Sequence, residues 1–273
     1  RISEIVYKTP VLSSISINKA LKADITFKAE CLQETGSFKL RGASSAISML
    51  SKEEKSRGVV AFSSGNHAQG IAYASRELGT SAKIVMPSDA PKIKIRKTKE
   101  YGAEIIFYDR DEDNREEIGF SIAMKEGRKL IKPFDDLNVI YGQGTAALEV
   151  MDEVDTKFDM SVVCCSGGGL AAGTGIVLKN SLSDCQLYTA EPKDWNDHEK
   201  SFLQNNLVSI KTKKHGMCDA LENPKPGEIT FRINSALNTK GLSANDKYII
   251  EAMKIIYDEF CLLYTSPSPR DIR

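Results

Sequence analysis

One lysine of the sequence lies where it could act as a nucleophile. Residues 35–43 are T-G-S-F-K-L-R-G-A, which places Lys39 at the start of a predicted helix, roughly residues 37–50. Alternating apolar and polar residues at 23–30 predict a strand upstream, and residues 35–37 predict a turn with a serine N-cap. An amine near a helix N-terminus and partly out of water loses its proton more easily, and only a neutral amine forms an imine with an aldehyde. A solvated surface lysine is the alternative when Lys39 is taken alone.

A second candidate site is a run of three glycines. The loop S-G-G-G-L follows an apolar run and opens a helix rich in small residues. Backbone amides of such a loop can approach a phosphate, and the helix dipole adds to the attraction. The sequence therefore predicts a phosphate cradle, with a tight turn as the alternative. The loop is not a P-loop because no G-K-[ST] follows, and it fits G-x-G-x-x-G poorly.

A third candidate loop, residues 63–69, has the sequence S-S-G-N-H-A-Q. It supplies hydroxyls, an amide and backbone donors at the start of a predicted helix, which suits a substrate carboxylate. Capping of the first helical amides by a serine or asparagine side chain explains the pattern equally well.

The three loops belong to a regular alternation of strands and helices, which predicts the α/β class with parallel strands and helices on both faces. Ligands in such sheets bind outside the carboxyl ends of the strands. We therefore expect the three loops to meet at one edge. Strands are predicted at 58–62, 82–86, 104–108, 130–132, 160–165 and 186–190, and helices at 66–78, 91–101, 111–129, 144–154, 170–178 and 243–260.

Composition excludes several classes of function. The 273 residues carry 37 basic and 37 acidic side chains, so a nucleic acid or an anionic membrane is not expected as the main partner. No apolar run approaches the roughly 20 residues that span a bilayer. The six cysteines show neither a zinc spacing nor a compact disulfide framework. Reduced thiols in a cytoplasmic protein are therefore the expectation.

Together the loops resemble the fold-type II pyridoxal-phosphate enzymes, specifically the threonine/serine dehydratase and serine racemase family, which is similar to the tryptophan synthase beta chain. The resemblance covers about residues 9–260. It implies two open, twisted, mostly parallel sheets, with a large cofactor-binding domain (1–57 and 139–260) and a small mobile domain (58–138). Further motifs in family order are G-Q-G-T at 142–145, E-P at 191–192 and P-G-E-I-T-F at 226–231.

The resemblance also implies residue roles. Lys39 would hold pyridoxal 5′-phosphate as a Schiff base and act as the base at Cα. Phe38 would pack against the cofactor ring, and Asn66 would bond its 3′ oxygen. The phosphate would be bound by Ser166, Gly167, Gly168, Gly169 and Leu170, and the substrate carboxylate by amides around Ser64, Gly65, Asn66 and His67.

The activity implied is β-elimination from a hydroxy amino acid, giving a 2-oxo acid and ammonia. Ser64 leaves an alternative open, because S-S-G-N-H resembles serine racemases and threo-3-hydroxyaspartate dehydratases, whereas threonine dehydratases typically resemble S-A-G-N-H. A hydroxyl opposite Lys39 would permit inversion at Cα. Cysteine synthase resembles these motifs less well, and a non-enzymatic ligand-binding protein on the same scaffold is a further alternative. The preferred hydroxy amino acid stays open.

A divalent cation site is implied at Glu191, Asp197 and the carbonyl of Trp195. Oxygen ligands of this kind suit Mg²⁺ or Ca²⁺. Lys193 and the bulk of Trp195 weigh against the site. The resemblance also implies a homodimer.

Several other residues are predicted to be structural. We expect Cys164 and Cys165 in the core, His198 and His215 in solvent, and only the amide of His67 in use. Arg115 aligns with an arginine near the racemase active site, and a surface salt bridge is its alternative.

Both ends of the sequence are unusual. The chain starts at Arg1, and residues missing at the front are expected. From residue 261 the sequence resembles the translation of a transposase sequencing adapter, with a disordered Ser/Pro tail as the alternative, so 261–273 is excluded from the predicted fold. The family's later strands and its partner for the pyridine nitrogen are then absent, and we expect exposed apolar surface.

Overall fold

The computed structural model describes residues 1–155, 157–182, 184–212 and 216–262. Its amino-terminal segment contains strand β1 (Val11–Ser13), helix α1 (Ile15–Leu21) and strand β2 (Thr26–Lys28). The two strands are antiparallel. The strand predicted at 23–30 is therefore real but shorter, and its partner and α1 were not predicted.

A four-stranded parallel sheet forms the middle of the chain, in the order β5-β4-β3-β6. All four residues of its strand β3 are buried, because helices cover both faces of the apolar run V-V-A-F. This confirms the parallel arrangement predicted from sequence. The elements are α3 (Lys52–Arg57), β3 (Val59–Phe62), α4 (Asn66–Glu77), β4 (Ala82–Pro87), α5 (Lys92–Glu100), β5 (Glu104–Tyr108), α6 (Arg115–Glu126) and β6 (Lys129–Leu130).

A three-stranded parallel sheet follows, in the order β7-β8-β9. The side chains of its edge strand β7 alternate between exposed and half-buried. Within the described residues, no strand pairs with the outer edge of β7. The elements are β7 (Met160–Cys164), α8 (Gly169–Ser181), β8 (Gln186–Pro192), α9 (Asp197–Gln204), α10 (Glu228–Ala236), β9 (Lys240–Ala244) and α11 (Asp246–Phe260).

Two helices, α2 (Lys39–Ser48) and α7 (Leu137–Glu153), connect the two sheet regions. Helix α2 packs against α4 and α7, and α7 packs against α8. The prediction that α7 begins at residue 144 was wrong. The helix begins seven residues earlier because Asp136 caps it by accepting hydrogen bonds from the amides of Asn138 and Val139.

The predicted start of α11 at residue 243 was also wrong, because the helix begins at Asp246. Ser243 belongs to β9, and Asn245 caps the helix by accepting a hydrogen bond from the amide of Tyr248.

Among the described residues, no helix has both the length and the apolar character needed to cross a bilayer. The part of the predicted tail beyond residue 262 lies outside the described residues.

A buried charge network fixes α2 in place. Arg41 is fully buried and donates hydrogen bonds to Glu30 and Glu149 at 2.7 to 2.8 Å. Lys28 lies 2.7 Å from Glu149. Burial lowers the pKa of Arg41, but the hydrogen bonds that it donates to the two carboxylates outweigh burial and raise it. Because the network joins α2 to α7 and to the end of β2, it determines where Lys39, the first residue of α2, is held.

Candidate active site

The three loops identified from the sequence line one cavity of about 200 Å³, beside the carboxyl ends of β3 and β7. The cavity contains all the residues predicted to hold cofactor and substrate. They are Phe38, Lys39, Ser64, Gly65, Asn66, His67, Ser166, Gly167, Gly168, Gly169 and Leu170.

Lys39 occupies the first position of α2, and its amine donates a hydrogen bond to the carbonyl of Pro133 at 2.8 Å. Burial lowers the pKa of Lys39 to about 8, although the nearby thiols of Cys164 and Cys165 act in the opposite direction. A larger fraction of the amine is therefore neutral near pH 7 than for an ordinary lysine. The site thus favours an amine that reacts with an aldehyde over a solvated surface lysine.

The predicted N-cap at Ser37 was wrong. Phe38 occupies the cap position of α2 without a side-chain hydrogen bond. The Ser37 hydroxyl is buried and has no hydrogen-bond partner among the described residues. The ring of Phe38 lies 5.3 Å from the Lys39 amine and lines the cavity, and its role beside a cofactor ring stays a prediction.

The glycine loop has little room for side chains. A Cβ on Gly167 would lie 2.1 Å from the Phe134 ring, and Gly168 has a φ of +91°. No side chain caps α8. Thr230 and Asn234 on α10 donate hydrogen bonds to the carbonyls of Gly167 and Gly168 at 2.6 and 3.3 Å. The loop is therefore held through its carbonyls, and the uncapped start of α8 is open to an anion.

The loop before α4 is also uncapped. Gly65 occupies the cap position, and no side chain bonds to the first amides of the helix. This favours an anion site over the capping alternative. The ring of His67 is buried, with Nε2 3.2 Å from the carbonyl of Ile131. Burial and the charge of Lys39 lower the pKa of His67 to about 3, so the ring is neutral at pH 7.

These observations test whether the residues fit pyridoxal phosphate. The cofactor needs a lysine amine for its aldehyde and a cradle of amides for its phosphate. Lys39 and the glycine loop provide both in one cavity, and a side chain at Gly167 would collide with the cavity wall. The residues present fit the cofactor.

Sequence reasoning missed three charged residues of the cavity, Asp219, Glu222 and Lys94. The side chain of Lys94 is 4% exposed and lies on α5. A signal was present, because Lys94 is spaced four residues from both Ala90 and Thr98, which are also buried. Arg115 also lines the cavity, with its guanidinium 5.7 Å from the centre of the Phe62 ring. Of the two alternatives for Arg115, the structure favours a place in the cavity.

The acidic residues of the predicted cation site lie together. Glu191, Trp195 and Asp197 are buried, at 3%, 8% and 0% exposed. Glu191 accepts hydrogen bonds from the amides of His198 and Glu199, whereas both carboxyl oxygens of Asp197 lack a hydrogen-bond partner among the described residues. Burial raises the pKa of both carboxyl groups, and Glu191 raises that of Asp197 further. No group of three His, Cys, Asp or Glu side chains in the described residues could hold a metal ion, so a cation would need carbonyl or water ligands as well.

Three further predictions concern cysteine and histidine. His198 was expected in solvent, and this was wrong. Its ring is fully buried against the glycine loop, so close that a Cβ on Gly168 would lie 2.6 Å from Cε1. Cys165 is buried as predicted, but Cys164 is exposed and lines the cavity because it lies on the edge strand. His215 lies outside the described residues.

Comparison with known proteins identifies the family. Residues 2–266 match the family described as pyridoxal-phosphate dependent enzyme. A serine racemase of Schizosaccharomyces pombe is 41% identical over 254 residues, covering 93% of this chain and 78% of the relative. An L-threo-3-hydroxyaspartate ammonia-lyase of Saccharomyces cerevisiae is 42% identical over 256 residues, covering 94% and 78%. The structure of maize serine racemase has a TM-score of 0.91 and 35% identity, covering 96% of this chain and 79% of that one. The chain belongs to the family of pyridoxal-phosphate-dependent enzymes.

Proposed function

We propose that this protein catalyses the β-elimination of a hydroxy amino acid to a 2-oxo acid and ammonia. The observation that carries the proposal is the lysine amine with a lowered pKa, which faces the same cavity as two uncapped helix N-termini. Relatives named for ammonia-lyase and racemase activity support it.

Each part of the cavity would contribute one function. The glycine loop would hold the cofactor phosphate, and Lys39 would bond to the aldehyde carbon of the cofactor. Phe38 would pack against one face of the cofactor ring, and Asn66 would form a hydrogen bond with its 3′ oxygen. The bound cofactor supplies an electron sink for the pair of electrons left at Cα. The amides at the start of α4 would hold the substrate carboxylate and so orient the Cα–H bond toward Lys39, which removes the proton.

The test is the release of 2-oxo acid and ammonia by the pyridoxal-phosphate-loaded protein. Serine, threonine and threo-3-hydroxyaspartate are the substrates, and a non-hydroxylated amino acid such as alanine is the control. Release from at least one hydroxy amino acid supports the proposal. Binding of these compounds without product would instead support a non-enzymatic ligand-binding protein.

We propose racemisation as a second activity, with Ser64 as the base on the face opposite Lys39. The support is that Ser64 lines the same cavity as Lys39. Ser64→Ala should abolish D-serine formation while elimination continues, because only inversion needs a second proton donor. Ser63→Ala is the matched control. An equal fall in both activities of Ser64→Ala would contradict the two-base assignment.

We also propose that Mg²⁺ or Ca²⁺ binds at Glu191, Asp197 and the carbonyl of Trp195. Two buried carboxyl groups, one without hydrogen bonds from the described residues, support a hard cation. Thermal stabilisation by Mg²⁺ should disappear in Asp197→Asn and persist in Asp194→Asn, a change at an exposed residue of the same loop. Stabilisation that survives in Asp197→Asn would rule out this site.

Domain movement, assembly and compartment are further proposals. We propose that residues 58–138 close as a small domain over a large domain formed by 1–57 and 139–260. The four-stranded sheet lies within the first range, which supports this division. We propose a homodimer in the cytoplasm, where the six free thiols would stay reduced. Light scattering after size-exclusion chromatography measures the assembly.

A further inference from the structure

His198 is a fully buried polar side chain that has no part in the proposed reaction. It is the second residue of α9, and its ring is 0% exposed although its neighbours in sequence are polar. Neither ring nitrogen has a hydrogen-bond partner of normal geometry among the described residues. Buried polar side chains are generally hydrogen-bonded, so a ring of this kind indicates a constraint on its position.

The ring of His198 lies against the glycine loop. A Cβ on Gly168 would be 2.6 Å from Cε1 and 3.0 Å from Nε2 of the ring. Burial lowers the pKa of His198 to about 4, and the backbone of Ser166 acts in the opposite direction, so the ring also lies near Ser166. Ser166 and Gly168 line the active-site cavity and His198 does not. The ring therefore contacts the loop from outside the cavity.

Helix α10 supports the same turn from a second direction. Thr230 donates a hydrogen bond to the carbonyl of Gly167 at 2.6 Å, and Asn234 donates one to the carbonyl of Gly168 at 3.3 Å. A Cβ on Gly168 would also lie 3.0 Å from the Thr230 hydroxyl. Gly168 is thus enclosed by side chains of α9 and α10, while the amides at the start of α8 stay free of side-chain caps.

The position of the His198 ring is itself fixed. The backbone amide of His198 donates a hydrogen bond to Glu191, at the end of β8, at 3.0 Å. The ring centre lies 5.6 Å from that of Phe202, and Phe202 stacks on Phe231 of α10 at 6.0 Å. Contacts with β8 and α10 therefore hold the ring in place beneath the loop.

A loop of three glycines has a particular need for such support. Glycine loses more conformational freedom on ordering than any other residue, so an unsupported glycine loop would have to be ordered when it binds a ligand. A loop that is already held in the bound conformation avoids this cost and binds more tightly.

We propose that His198 is a positioning residue for the cofactor phosphate. Its ring, together with Thr230 and Asn234, holds the turn at Gly168 so that the amides at the start of α8 face the phosphate. This inference rests on the proposed phosphate site at the glycine loop and adds the residue that keeps that site in shape.

The first test compares two ligands that differ only in the phosphate. Pyridoxal phosphate and pyridoxal both carry the aldehyde for Lys39, and fluorescence titration gives the affinity of each. His198→Ala should weaken binding of pyridoxal phosphate about tenfold, the loss expected when one loop residue must be ordered on binding. Binding of pyridoxal should change by less than about twofold, because the loop has no phosphate to hold.

Two further variants separate support of the loop from general stability. His198→Gln can place an amide nitrogen near the position of Nε2 and should keep most of the preference for pyridoxal phosphate. Ser201→Ala is the matched control, since Ser201 is also fully buried on α9 but caps the amide of Val208. It should leave the preference unchanged.

The outcomes distinguish this inference from the proposed phosphate site. Equal affinity of the unaltered protein for the two ligands would overturn both. If the unaltered protein prefers pyridoxal phosphate and His198→Ala keeps that preference, the phosphate site stands and the role of His198 is refuted. Equal weakening of both ligands in His198→Ala would also refute that role.

The second test needs no cofactor. Hydrogen exchange followed by mass spectrometry reports how often the amides of residues 166–170 open. In His198→Ala this exchange should be about tenfold faster, whereas exchange in β3, in the other sheet, should not change. Unchanged exchange in the glycine loop would refute the proposal. An equal rise in both segments would refute it too, because it would show a general loss of stability.

Discussion

The two parallel sheets differ in how completely they are covered. Every residue of β3 is buried, whereas β7 exposes Met160, Val162 and Cys164 along one side. The two strands differ in exposure because they have different neighbouring strands and helices. Strand β3 pairs with β4 and β6 and has helices on both faces, whereas β7 pairs only with β8 among the described strands.

The two sheet regions contribute different residues to the candidate active site. The covered sheet region carries the uncapped start of α4, and Lys94 and Arg115 line the same cavity. The less covered region carries the glycine loop, which depends on α10 for its support. A second cavity, of about 340 Å³, lies along β7 and is lined by Val162 and Phe38. Apolar surface was expected from the sequence, and it is found on this edge strand. We therefore expect stability to come mainly from the first region.

The largest effect should come from Lys39, the first residue of helix α2, which lies between the two sheet regions. Lys39→Ala should lower 2-oxo acid release by about 10²- to 10⁴-fold or more, because the base at Cα and the attachment of the cofactor are lost together. Lys39→Arg is the matched control and should be equally inactive, since a guanidinium stays charged. Substantial product release by Lys39→Ala would show that another base operates.

The next effect concerns the network that docks α2 between the regions. Arg41→Met should lower the free energy of unfolding by about 3 to 5 kcal/mol, because the buried Glu30 loses its cation and the half-buried Glu149 keeps only Lys28. Urea unfolding followed by circular dichroism measures the change. Arg57→Met, on an exposed ion pair, should cost less than about 1 kcal/mol. A small loss in Arg41→Met would mean that water replaces the guanidinium.

Two glycines, one on each side of the cavity, allow the contributions of the two sheet regions to be compared. Gly168→Ala should weaken pyridoxal-phosphate binding about tenfold or more, because φ is +91° and the methyl group would meet the His198 ring. Gly65→Ala should raise KM instead, because its Cβ would meet only the flexible end of Lys94 beside the substrate. Fluorescence titration gives the cofactor affinity. Equal loss of cofactor affinity in both variants would contradict this division.

One valine from each sheet allows the contributions of the two sheets to stability to be compared. Val85 on β4 is fully buried, and Val162 on β7 is 52% exposed. Val85→Ala should lower the free energy of unfolding by about 2 kcal/mol through lost burial and the cavity left behind. Val162→Ala should change it by less than about 0.5 kcal/mol. Similar losses in urea unfolding would show that something covers β7 in solution.

The smallest effect is on pH dependence. Because burial lowers the pKa of Lys39 to about 8, the neutral amine is the minor form below that pH and the major form above it. The rate of cofactor uptake should therefore rise about threefold between pH 7.5 and 8.5. Absorbance of the bound cofactor follows uptake, and free cofactor with butylamine serves as the reference. A flat profile over this interval would place the pKa of Lys39 elsewhere.

The parts of the site that could be predicted were those that depend on residues adjacent in the sequence. The triple glycine, the S-S-G-N-H loop and the position of Lys39 each depend on a few adjacent residues, and the strands before two of these loops are plain apolar runs. The start of α7 was missed because Asp136 caps it from within a polar stretch. The burial of His198 was missed because its neighbours in sequence are polar and its neighbours in space come from the glycine loop.

The sequence alone determined the fold class and the three loops, because strand periodicity and glycine spacing are local properties. The family followed from the resemblance of its motifs to known enzymes. Only the tertiary structure decided the environment of each charge. The lowered pKa of Lys39 and the burial of Lys94 beside Gly65 depend on segments far apart in the chain. The burial of Asp197 without a hydrogen-bond partner among the described residues likewise depends on packing. Desolvation and electrostatic interaction act through space, so these properties followed only once packing had placed the groups.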